Sequence, residues 1–141
     1  MVVEITNQES SIMALDIGDV RVGVALASVS SLMPAPLVTL ANDEQLLINL
    51  KVQIAKYHVK QLIIGLPRSM DGQETSQTIK VRTVARELSQ KLGLLVHFQD
   101  EFLSSVNAEN LLRTGKKAYS KADIDKLSAS IILRDYINSS E

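Results

Sequence analysis

Residues 13–28 read MALDIGDVRVGVALAS. Two β-prone runs, Ile12–Ile17 and Arg21–Ala27, are joined by Gly18-Asp19, the composition of a tight hairpin turn. In the second run, bulky Val22, Val24 and Leu26 alternate with small Gly23, Ala25 and Ala27, so one face of the strand can be approached closely. Asp16 is the anomaly. A carboxylate in an otherwise apolar strand costs several kcal/mol unless a turn, a cation or a metal ion compensates it, or unless it takes up a proton.

Working outward, Pro34 and Pro36 punctuate a loop before a third strand at Leu37–Leu40. The periodicity then becomes helical. Asn42 or Asp43 can cap a helix running to Tyr57, with Leu46, Leu47, Leu50 and Ile54 as its inner stripe. Gln61–Ile64 is a short apolar strand that Gly65 ends. A helix over 75–92 carries Val81, Val84, Ala85, Leu88 and Leu92 inward and stops at Gly93. Leu94–Gln99 is a fifth strand, and two helices follow at 105–113 and 122–138, separated by the basic loop RTGKKAYSK. Three antiparallel strands followed by strands alternating with helices require a mixed sheet of five strands. The outline is that of an α/β, RNase H-like fold, with flavodoxin-like arrangements also compatible. Residues 1–11 are expected to be a flexible extension and 12–138 a single domain.

The 141 residues are 45% apolar and 22% charged, the composition of a soluble globular protein, with no apolar stretch of membrane-spanning length. The start lacks the basic-then-apolar pattern of a secretory signal, so a cytoplasmic location is expected. Absence of cysteine excludes disulfides and thiolate metal sites. Net charge is −1, but residues 1–79 hold five basic against eight acidic side chains and residues 80–141 ten against eight. Arg113, Lys116, Lys117, Lys121 and Lys126 concentrate that excess, which suits either a solvated face or a phosphate backbone.

Three carboxylates stand out: Asp16 in the first strand, Glu101 just past the fifth, and Asp125 near the start of the last helix. Converging acids bind Mg²⁺ or Mn²⁺, and a pair of such ions promotes phosphodiester hydrolysis. Each acid also has a plainer role open to it. Asp16 suits an Asx turn, Glu101 a helix-entry charge, and Asp125 a first-turn acid stabilised by the helix dipole.

Four blocks in order, LDIGDVRVGVALAS, IIGLPRSMDGQE, HFQDEFLSSVNAENLL and IDKLSASIILRDYI, make the chain resemble the YqgF-like family from Ile12 to Ile137. Members of that family are named as Holliday-junction resolvases or pre-16S rRNA nucleases. The resemblance implies an RNase H-like fold, a Mg²⁺ or Mn²⁺ site at Asp16, Glu101 and Asp125, and hydrolysis of nucleic acid. Structured RNA is the implied partner, with branched DNA as an alternative, and the acting species is a monomer or a homodimer. A non-catalytic nucleic-acid-binding module is a third possibility. Arg21 and Arg68, with the basic residues Lys116, Lys117, Lys121 and Lys126, are the implied nucleic-acid contacts. The chain departs from the family pattern at Val20, where the family has Lys, at Phe102, where it often has Arg, and at Ser128 in a pair that is normally Ala-Ala.

Overall fold

A computed structural model describes residues 9–101 and 119–139. Five strands form one mixed sheet: β1 (Ser11–Ile17), β2 (Arg21–Ser28), β3 (Ala35–Ala41), β4 (Val59–Pro67) and β5 (Leu95–Glu101), in the order β3-β2-β1-β4-β5. Pairings β1–β2 and β2–β3 are antiparallel, whereas β1–β4 and β4–β5 are parallel. Helices α1 (Leu46–Tyr57) and α2 (Ser76–Leu92) cover one face, and α3 (Lys121–Ser139) covers the other.

Strand periodicity sorts the side chains between these faces. Met13, Leu15, Ile17, Val22, Val24, Leu62, Ile64 and Leu66 pack with α1 and α2 in the larger core. Complete burial of each such side chain stabilises the fold by about 1.5–3 kcal/mol. The opposite face is small: Ala14, Ala25 and Ala27 with Ile63 meet Ala129, Ile132, Leu133 and Ile137 of α3. Buried Ser128 and Ala129 keep the helix slim at this contact. Approach is closest at Gly23, where an added Cβ would overlap the Asp125 carbonyl oxygen and lie 3.0 Å from the Lys126 nitrogen. Thr39 donates to the Ala122 carbonyl at 2.6 Å and fixes the start of α3 over β3.

Several boundaries differ from the sequence expectation. Helix α1 starts at Leu46, and Asn42 and Asp43 do not cap it; Gln45 occupies the N-cap without a side-chain bond. Asn42 instead donates to the Gly18 carbonyl at 2.6 Å, and Asp43 accepts from the Gln45 N–H at 2.9 Å, so both are committed to the loop. Strand β4 continues through Gly65 to Pro67, because β5 pairs with it up to Glu101. Glu101 is therefore the last residue of β5 rather than a residue beyond it. Thr75 caps α2 reciprocally with Thr78, whose hydroxyl also donates to the Pro67 carbonyl and pins the helix to the end of β4. The helix expected at 105–113 and most of the basic loop lie outside the described residues.

Candidate metal and nucleic-acid site

Asp16 follows Ala14 on the α3 face of β1, directly opposite Gly23 of β2. On its other side, β4 runs from Ile64, the partner of Leu15, into Gly65. Two residues without side chains thus flank the carboxylate. Gly65 also faces Glu101: a Cβ there would lie 2.9 Å from Glu101 Oε2 and 2.5 Å from Ile132 Cδ1. The close approach at Gly65 is a feature that sequence reasoning missed, having assigned this glycine to the strand end. The available signal was a glycine within an otherwise continuous apolar run, which marks close approach.

The plainer roles of Asp16 and Asp125 are filled by other groups, whereas the helix that Glu101 would enter lies outside the described residues. Backbone closes the β1–β2 turn, with the Gly18 N–H donating to the Arg21 carbonyl at 2.9 Å. Asp123 is the first-turn acid of α3, and it accepts from the Ser120 N–H at 2.9 Å. Asp19 pairs with Lys80 at 3.3 Å rather than with Arg21. Asp125 is thereby left for the sheet side, where its Oδ2 accepts from Arg21 Nε at 2.5 Å.

Asp16 and Glu101 are half-buried and hydrogen-bonded to each other. Burial pushes the Glu101 carboxyl up to about 8, with the Asp16 charge and the hydrogen bond adding to the rise. Burial also raises Asp16, to about 6; its bond to Glu101 opposes the rise and the charge of Asp125 adds to it. Near neutral pH the pair therefore shares a proton. Among the described residues no Lys, Arg or His forms an ion pair with either carboxylate. Hard oxygen donors and missing cationic compensation suit a divalent cation in place of that proton. Among the described residues no three acids or histidines already stand in coordinating geometry, and the Asp125 Oδ2 is engaged by Arg21.

The remaining candidates spread over the same end of the sheet. Arg68 donates to Asp100 at 2.7 Å and lies 3.8 Å from Glu74, on the loop between β4 and α2. Lys121 opens α3 and is exposed, and Lys126 lies 3.7 Å from Asp123. Lys116 and Lys117 fall outside the described residues. His97 packs its ring 5.9 Å from that of Tyr136. A cavity of about 390 Å³ between the β1–β2 turn and α2 lies on the side of the sheet that Asp16 faces away from.

A mixed five-stranded sheet in the order β3-β2-β1-β4-β5 with helices on both faces is an RNase H-like fold. RuvC of T. thermophilus in complex with a Holliday junction superposes with a TM-score of 0.58, covering 93% of this chain and 96% of RuvC at 11% identity. A second Thermus thermophilus RuvC structure gives 0.54, at 8% identity over 92% of this chain and 96% of that one. These likenesses concern the fold alone. The particular family follows from sequence: the RuvX profile, described as Holliday junction resolvase, matches residues 10–139, and the chain belongs to that family of nucleases. A relative from Orientia tsutsugamushi, named as a candidate pre-16S rRNA nuclease, is 39% identical over 89% of this chain and 82% of its own. One from Chloroflexus aggregans with the same name is 35% identical over 92% and 94%.

Proposed function

We propose that the protein is a cytoplasmic nuclease that hydrolyses phosphodiester bonds with Mg²⁺ or Mn²⁺ held by Asp16, Glu101 and Asp125, and that it acts in 5′-end maturation of pre-16S rRNA. The observation that carries this reading is the Asp16–Glu101 pair, two hard donors sharing a proton with Asp125 in electrostatic reach. Bound cations of this class activate water and neutralise charge developing on the leaving oxygen. Arg21 contributes by holding Asp125, and its guanidinium is placed to exchange that carboxylate for a substrate phosphate. Arg68, Lys121 and Lys126, with Lys116 and Lys117, supply backbone contacts that position substrate without reading its sequence. The relatives' names support the RNA substrate. Among the described residues no helix is long and apolar enough to cross a membrane, in keeping with the proposed location.

The family description favours a second reading, in which a homodimer cuts a four-way DNA junction. Digestion of a precursor-rRNA fragment and a four-way junction, side by side with Mg²⁺ or Mn²⁺, separates the two. Cutting of the RNA is the expected result. Cutting of the junction alone transfers the assignment to the second reading, and cutting of neither makes the protein a binding module.

A further inference from the structure

On the sheet face away from Asp16, α2 and β5 border a groove of about 350 Å³ whose lining includes Arg82, Arg86, Ser89, Leu95 and Phe98. Among the described residues no acidic side chain lines it, although Glu74 and Asp100 stand beside Arg82 at its edge. Phe98 is 37% exposed and Leu95 70%. The Arg82 guanidinium lies over the Phe98 ring, 5.3 Å from its centre, and Glu74 holds it there through two hydrogen bonds of 3.0 and 2.9 Å. Arg86, one turn further along α2, is exposed and has no Asp or Glu partner among the described residues. A half-exposed aromatic ring, a cation fixed above it and a second cation beside it form a surface on which a nucleobase can stack while its phosphates are neutralised.

We propose that this groove binds an unpaired nucleotide of a single-stranded RNA segment flanking the cleavage site, with the base against Phe98 beside the Glu74-held Arg82 and the phosphate at Arg86. This inference rests on the nucleic-acid reading of the carboxylate site. The groove has a path to that site. Phe98 precedes Glu101 by three residues on the same strand, roughly 10 Å at the rise of a β-strand, and β5 is an outer strand of the described sheet. RNA passing over that outer strand reaches the carboxylates within a few nucleotides. An apolar partner would leave Arg86 without a counter-charge, and an acidic peptide would not use the ring.

Binding of a fluorescent 12-nucleotide single-stranded RNA to the full chain, followed by anisotropy in EDTA over a range of salt, tests the inference apart from catalysis. Phe98→Ala should weaken binding about five- to a hundredfold with an unchanged salt dependence, and Phe98→Tyr should restore it. Arg86→Gln should weaken binding and reduce the slope of log K against log salt by about 0.7. Wild-type affinity in Phe98→Ala, failure of Phe98→Tyr to restore binding, or an unchanged slope in Arg86→Gln overturns the inference. Wild type that cuts precursor rRNA but gives any of those results loses the groove and keeps the function. Wild type that neither binds the RNA nor cuts the precursor loses both.

Discussion

Gly65→Ala places one methyl group where the proposed ligands meet the core. Its Cβ would lie 2.5 Å from Ile132 Cδ1, 3.3 Å from Ile132 Cγ1 and 2.9 Å from Glu101 Oε2, against an ordinary contact of 3.4 Å or more. Ile132 must therefore retreat by nearly an ångström and the Glu101 oxygen by about half of one. Both neighbours are side-chain atoms and can move, so overpacking should cost only about 1–2 kcal/mol, a fall in Tm of roughly 3–8 °C. Displacement of a ligand by half an ångström is larger than a metal site tolerates, and Mn²⁺ affinity should fall about tenfold or more. Gly93→Ala is the control. Its backbone is left-handed, at φ 66°, with open space around the Cβ, so it should cost about 1 kcal/mol and leave Mn²⁺ binding unchanged. Thermal melts with Mn²⁺ titration of both variants decide the matter. Equal Mn²⁺ affinity in Gly65→Ala and wild type would refute the placement of Glu101 against β4.

Gly23→Ala should be more costly than Gly65→Ala, about 3 kcal/mol, because the obstructing atoms are α3 backbone and the whole helix must shift; a melting curve within 2 °C of wild type on the order expected of half a kcal/mol would contradict the packing. Thr78→Val removes the buried hydroxyl that donates to the Pro67 carbonyl at the end of β4, and should cost about 1–3 kcal/mol in chemical denaturation; an unchanged midpoint would show that bond to be dispensable. In EDTA, stability should fall as pH rises. The carboxyls of Asp16 and Glu101 titrate at about 6 and about 8 in the fold, above their ordinary values of 3.8 and 4.5. The folded state thus holds more protons than the unfolded one, and their contribution is complete below pH ~4 and lost as pH climbs through 6 and 8. Melts at pH 5, 7 and 9 should show that decline, Glu101→Gln should flatten it, and a flat wild-type profile would count against the pair.

The order of elements, the mixed sheet and the two faces of β2 were legible because period-two alternation in β2 is strong and its bulky and small faces are chemically distinct. Gly23, Ala25 and Ala27 announced a close neighbour, and the fold supplies it as α3, slim at Ser128 and Ala129. The start of α1 was not legible, since Asn42 and Asp43 are good caps that the β1–β2 turn and the local loop engage instead. Extension of β4 past Gly65 depends on pairing with β5, a contact about 35 residues away that local pattern does not encode. The acids could be picked out singly, but their partners could not. Arg21 stands two residues from Asp19 in sequence yet bonds Asp125 through the antiparallel turn and the α3 crossing.

Mn²⁺ binding followed by electron paramagnetic resonance, coupled to cleavage of a precursor-rRNA fragment by the same samples, tests the carboxylate centre most directly. Wild type should bind Mn²⁺ and cut, and Asp16→Asn should keep its fold by circular dichroism while losing both. Cleavage by Asp16→Asn at the wild-type rate would contradict the metal site and the function built on it.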